Sequence, residues 1–217
     1  MKIQILISKN SWAMNYKKDL KKKLGKYTKK IIFLNDHKKL KNKQDINIIF
    51  SYFKIIDKKS LKKSKYNLVP HEADLPKGRG MSPLSWQILK NKNLITFSLI
   101  EAAQKMDAGR IYFKNKVTLR KDIVFDEIKQ IQFNQNIKLI LKFIKFYKKN
   151  KKAPKSEAQT GKATYYKLRK KNDSKIDISK SLKSQFNLLR ISDFKNYPNF
   201  FFFNKRKFFI KVIKEKK

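Results

Sequence analysis

"YNLVPHEADLPKGRGMSPLSWQILK", residues 66–90, carries a strand, a loop and a helix in one run. Residues 66–71 read as an extended segment that ends at His71, and the Leu75-Pro76 pair and the Gly78-Arg79-Gly80 turn then interrupt regular structure. "PLSWQILK" reads as a helix with Pro83 at its start, where the missing N–H costs nothing. A histidine at the carboxyl end of a parallel strand lies where open α/β sheets place their ligands. That order makes an α/β layered domain the expected fold class.

The flanking sequence repeats the pattern. "KIQILIS" (2–8) is a strand-like run, and Ala13, Tyr16, Leu20 and Leu24 recur behind it at helical spacing as far as Gly25. "IIFL" (31–34) and "INIIF" (46–50) are short apolar runs of the kind that buried parallel strands show. "LITFSLIEA" (94–102) is a further strand, and "RIYFKNKVTL" (110–119) is extended or irregular. A long helix is expected from Asp122, as N-cap, to about Lys149, with Lys138, Lys142, Lys145 and Lys149 along one face. Such a basic face suits an anionic membrane surface, but a helix packed on the sheet with its lysines in water is the preferred reading.

Pro154, Gly161 and small polar residues mark 150–163 as a linker. Beyond it, 181–190 reads as a short helix and 199–213 as an aromatic hairpin turning at Asn204 to Arg206. The expected organisation is a core over 1–149, a linker over 150–163 and a small appendage over 164–217, with no internal repeat.

The 217 residues include 56 Lys+Arg against 16 Asp+Glu, a formal net charge of +40. This draws anions of every kind without choosing among them. Because the lysines are spread along the chain, they read as solvated faces, a pattern that an A+T-rich coding bias also produces. Cysteine is absent, which excludes disulfides and thiolate chemistry, and two histidines without a His-Glu-x-x-His helix argue against a metal site. Dinucleotide and Walker signatures are missing. With no signal-like start and no long apolar stretch, a soluble cytoplasmic protein without membrane insertion is expected.

His71 and Asp107, the latter in "MDAG" (106–109), then stand out as a histidine and a carboxylate suited to general acid/base work. From spacing alone, a structural histidine satisfied by Glu72 or Asp74 is the alternative. Together, "NLVPHEADLPKGRGMSPLSWQIL" and "ITFSLIEAAQKMDAG" resemble the active-site segment of the formyltransferase family that uses 10-formyltetrahydrofolate. His71, Leu75-Pro76, Arg79-Gly80 and Asp107-x-Gly109 match the family motif. The tail, from "ATYYKLRKK" to "KFFIKV", resembles the family's linker and the first part of its C-terminal region.

The resemblance implies a Rossmann-like core with a mostly parallel sheet, a C-terminal helix and β-hairpin appendage, and direct formyl transfer from the folate to an amine. It implies catalytic roles for His71 and Asp107, folate contacts from Leu75, Pro76, Arg79, Gly80, Phe97 and Gly109, and acceptor contacts from Ser8, Asn10, Ser11 and Trp12, although Ser11 is equally explained as a helix cap. One departure matters: Val69 stands where the family has an asparagine that donates to the developing oxyanion. Asn67 lies on the same side of an extended strand and is the candidate replacement. The short tail favours a nucleotide-linked 4-amino-4,6-dideoxy sugar as acceptor, with tRNA as the alternative. An inert RNA-binding relative is the reading from another class, and an exposed aromatic hairpin would offer a homodimer surface.

Overall fold

The computed structural model describes residues 1–215. Strands β1 (Ile3–Leu6), β2 (Ile31–Leu34), β3 (Gln44–Ile49) and β4 (Ser64–His71) are mutually parallel. The two-residue β5 (Arg79–Gly80) lies outside this sheet, and β6 (Leu94–Glu101) and β7 (Ile111–Thr118) complete it antiparallel, in the order β2-β1-β3-β4-β6-β7. Three of the five pairings are therefore parallel, as a Rossmann-like core requires. The chain leaves β1 toward β2 and returns to the other side of β1 as β3, so a crevice opens beside the carboxyl ends of these strands.

Alternation decides which face each residue serves. Ile3, Ile5 and Ile7 point with Ile46 and Ile48 into the main core, whereas Leu6 and Ile49 join a smaller cluster on the opposite face with Ile56 and Leu61. The main core lies beneath helix α1 (Lys17–Gly25) and the long helix α4 (Phe125–Asn150). Between them in sequence come α2 (Lys58–Leu61), a single turn on the opposite side, and α3 (Pro83–Leu89), which starts at proline as expected. The segment before α1, Trp12–Tyr16, is a tighter 3-10 turn entered through Ser11, whose Oγ accepts the Ala13 N–H at 3.1 Å.

Ile140, Phe143 and Ile144 of α4 are fully buried, and each such side chain stabilises the packed helix by roughly 1.5–3 kcal/mol. Lys138, Lys142, Lys145 and Lys149 are exposed on the opposite face. The helix starts at Phe125 rather than just behind Asp122. Glu127 reaches back to accept the Val124 N–H at 2.9 Å, while Asp122 pairs with Arg120 and with Lys214. The segment at 110–119 is a true edge strand, and its exposed Lys114 and Lys116 face solvent in alternation. No helix among the described residues is long and apolar enough to cross a membrane.

Residues 150–163 lie along the core edge. Glu157 exchanges two backbone hydrogen bonds with Ile111, at 2.8 and 2.9 Å. The following β8 (Tyr165–Tyr166) pairs with β5. Helix α5 is shorter than expected, covering Phe186–Arg190, and Arg190 is buried and donates to the Arg120 carbonyl at 3.0 Å. Strands β9 (Asn199–Phe203) and β10 (Arg206–Ile210) form the hairpin. Its two-residue turn holds Asn204 and Lys205 at φ 46° and 63°, the left-handed pair that matches strand twist. Lys216 and Lys217, inside the expected 164–217 appendage, lie outside the described residues.

Candidate active site

The carboxyl ends of β3 and β4, the loop after β1, the loop after β6 and one face of α4 enclose a cavity of about 760 Å³. His71 closes β4 and is buried at 5% exposure. Its Nε2 lies 2.8 Å from the Gly78 carbonyl oxygen. A carbonyl only accepts, so Nε2 carries a hydrogen, and in the neutral ring Nδ1 presents its lone pair. Nδ1 lies 3.7 Å from Asp107 Oδ2, and that same oxygen accepts the Gly80 N–H at 2.8 Å.

Two glycines make this approach possible. Gly80, at φ 101°, lies so close to β8 that a Cβ would stand 2.3 Å from the Tyr166 carbonyl oxygen. At Gly109 a Cβ would stand 1.6 Å from the Glu101 carbonyl oxygen. Asp107 itself adopts φ 50°, a left-handed conformation that aspartate tolerates better than most residues.

The segment expected as a linker holds this loop. Gln159 Nε2 donates to the carbonyls of Asp107 and Gly109 at 2.7 and 2.8 Å, while its Oε1 accepts from Arg79 Nε and Nη2 at 3.1 and 2.7 Å. Thr164 accepts the Gly78 N–H at 2.9 Å. The catalytic candidates are thus positioned by residues from three distant parts of the chain.

Of the residues singled out in the sequence, His71, Asp107, Gly80, Asn10 and Trp12 line the cavity. Others are placed elsewhere. Arg79 is turned toward Gln159 and Tyr165. Phe97 is fully buried in the main core beneath α4, because its position on β6 faces the helix. Leu75 packs with Ala73, Ile100 and Ile111 under the loop, Pro76 follows it through a cis peptide bond outside the cavity wall, and Gly109 only permits the loop to close. Ser8 accepts the Phe53 N–H at 3.0 Å and Ser11 is the helix cap, so both hydroxyls serve local backbone.

Asn67 is corrected most sharply. It has the expected side of β4, but its Nδ2 donates to the Leu61 carbonyl at 3.0 Å and its Oδ1 accepts from Asn47 at 3.1 Å. It does not line the cavity. Val69 does, and offers no polar atom there.

The sequence reading missed a cavity-facing stripe on α4, polar but for its first residue. Phe125, Lys129, Gln132 and Asn136, spaced four, three and four residues apart, all line the cavity. Gln132 and Asn136 are buried, and Asn136 donates to Glu72 Oε1 at 2.7 Å. Polar residues at helical spacing inside an otherwise apolar face were the available signal. Burial pushes the Lys129 ammonium down to about 8. Arg169, from the tail, also lines the cavity and is 6% exposed.

No family model matches the chain. Among curated proteins it is 28% identical over 147 residues to methionyl-tRNA formyltransferase of Sulfurihydrogenibium sp., a match covering 67% of this chain and 47% of that protein. The chain spans about half the length of the curated relatives it matches, with 50% of the Thermodesulfovibrio yellowstonii methionyl-tRNA formyltransferase covered. The solved methionyl-tRNA formyltransferase from Clostridium thermocellum superposes with TM-score 0.78 at 22% identity, covering 100% of this chain and 94% of that one. A 4-N formyltransferase from Francisella tularensis gives 0.72 at 19% identity, with 100% and 98% covered. HypX from Aquifex aeolicus in complex with tetrahydrofolic acid gives 0.79 at 16% identity, with 98% and 37% covered. These superpositions establish the fold.

Proposed function

We propose that this chain is a formyltransferase, like the methionyl-tRNA formyltransferases it is similar to, and that it transfers a formyl group from 10-formyltetrahydrofolate to the amine of a nucleotide-linked 4-amino-4,6-dideoxy sugar. The observation that carries the reading is the pair of buried His71 and half-buried Asp107 in the cavity wall, with Asp107 held by the Gly80 N–H.

The cavity walls suit the folate. Ile49, Ile56, Val69, Ile100, Ala102 and Met106 form an apolar side between the ends of β3 and β6, the surface that a flat heteroaromatic ring requires. These residues would hold the ring with His71 and Asp107 at its edge. When bound, the cofactor supplies the formyl carbon as electrophile.

The chain's own residues handle the proton. With Nε2–H fixed on the Gly78 carbonyl, His71 takes the proton of the attacking amine at Nδ1. The imidazolium so formed faces the Asp107 carboxylate, which stabilises it, and its Nδ1 proton would pass to the folate nitrogen as the bond to the formyl carbon breaks and tetrahydrofolate leaves. Since Val69 is apolar and Asn67 is bonded elsewhere, the positive charge of protonated His71 is what offsets the developing negative charge.

One finding favours a small acceptor, the likeness to a 4-N formyltransferase. The curated relatives instead favour initiator tRNA as the second reading. The test is formyl transfer from 10-formyltetrahydrofolate to a UDP- or dTDP-linked 4-amino sugar and, in parallel, to methionyl-tRNA. Turnover on the sugar, lost by at least about a hundredfold in His71→Ala and Asp107→Asn, supports the reading. Turnover on tRNA alone replaces the acceptor. A folded protein that transfers to neither, and binds RNA with steep salt dependence but no folate, refutes the enzyme.

A further inference from the structure

Two cations, Lys129 and Arg169, stand in the cavity wall. Lys129 donates from Nζ to Gln132 Oε1 at 2.8 Å and lies 5.0 and 5.3 Å from the ring centres of Trp12 and Phe125. Arg169 donates from Nη2 to Ser174 Oγ at 3.1 Å and to the Asp173 carbonyl at 3.3 Å, and its buried Nε has no partner. Among the described residues, neither forms an ion pair with a carboxylate.

The acids of the same wall are already engaged. Glu72 accepts from Asn136, Asp107 from the Gly80 N–H, and Asp193 from the backbone of Lys195 and Asn196 at 3.1 and 3.2 Å. Glu72 and Asp193 act on Lys129 from a distance, against the like charge of Arg169, and Asp173 acts on Arg169. Taking cations out of water without neutralising them is costly, and this cost is relieved when an anionic ligand enters. Lys170, Lys171 and the aromatic rings of Trp12 and Tyr197 also line the cavity.

We propose that Lys129 and Arg169 form an anion subsite that takes the diphosphate of a nucleoside-diphosphate-linked amine. The proposal rests on the formyl-transfer reading of the cavity and names the residues that would select its acceptor. An enclosed wall with a nearly fully buried guanidinium suits a small diphosphate, whereas an RNA backbone would meet the exposed lysines of the surface.

The test is calorimetric titration of the full chain with UDP at about 150 mM salt, where the nonspecific pull of surface lysines is screened, with 5-formyltetrahydrofolate present. Parent, Lys129→Met, Arg169→Met and Lys149→Met are compared, Lys149 being an exposed lysine on the outer face of α4. The expected result is saturable one-to-one binding by the parent. It weakens about tenfold or more in Lys129→Met and Arg169→Met and is unchanged in Lys149→Met, while folate binding is equal in all four. If Arg169→Met does not fold, Lys129→Met and the charge-retaining Arg169→Lys decide the matter, the latter keeping most of the affinity.

Absence of saturable UDP binding in the parent overturns the proposal, as does equal weakening in Lys129→Met and Lys149→Met. Lys129-dependent binding of a short RNA without UDP binding overturns it in favour of RNA. Because this titration involves no formyl transfer, the two readings fail separately. A parent that binds UDP through Lys129 but formylates no amine keeps the subsite and loses the reaction. Unaltered acceptor KM in both variants of an active enzyme loses the subsite and keeps the reaction.

Discussion

Glu101 closes β6 just before the loop that carries Asp107. Its Oε1 accepts the Asn67 N–H at 2.7 Å and its Oε2 accepts the Tyr112 hydroxyl at 2.8 Å. Among the described residues no cation pairs with it, and burial pushes its carboxyl from 4.5 up to about 7 despite both hydrogen bonds. The native state therefore keeps a proton that the unfolded chain releases between pH 4.5 and 7, and stability falls as pH rises through that window. The difference of 7 − 4.5 pH units corresponds to at most about 3 kcal/mol, at 1.36 kcal/mol per unit. Glu101→Gln removes the titration and retains an acceptor for the Asn67 N–H. Urea unfolding followed by tryptophan fluorescence at pH 5, 6, 7 and 8, at constant ionic strength, isolates the effect, because other titrating groups cancel between parent and variant. The variant should gain on the parent by about 2–3 kcal/mol between pH 5 and pH 8. A pH-independent difference, or one of the opposite slope, would refute the placement of an uncompensated carboxyl at this position.

Gln159→Ala leaves two carbonyls of the Asp107 loop and two Arg79 N–H groups without their partner. We expect a loss of about 2 kcal/mol, seen as a Tm roughly 4–8 °C lower, with kcat reduced more than folate affinity. An unchanged Tm and kcat would show that the loop is held without it. Asn67→Ala should lower stability by about 1–3 kcal/mol through the abandoned Leu61 carbonyl and Asn47 amide, while kcat falls less than tenfold at a temperature where the variant is folded. A fall of a hundredfold or more would return Asn67 to the reacting atoms.

The alternation of strands and helices was legible because hydrophobic period, proline at a helix start and turn residues act over a few neighbours. β1 to β4 and α3 follow directly from such signals. The 110–119 strand was harder, since alternating lysines at a sheet edge resemble a loop, and Asp122 looked like a cap until Arg120 and Lys214 proved to be its partners. His71 and Asp107 were found through a motif.

By itself, then, the sequence determined the strand and helix order, the place of the C-terminal hairpin and the candidate histidine and aspartate. Only the tertiary structure decided which polar side chains were free to act. Asn67 had the right strand parity but was consumed by Asn47 and Leu61, and Phe97 was claimed by the core. Gln159 reached the Asp107 loop from 52 residues further on, and Lys129 and Arg169 both came to line the cavity, in no ion pair among the described residues. Local periodicity selects a face, but it does not set how far a side chain reaches or which distant group satisfies it. Those choices follow from packing and from the high cost of leaving a buried polar group unpaired.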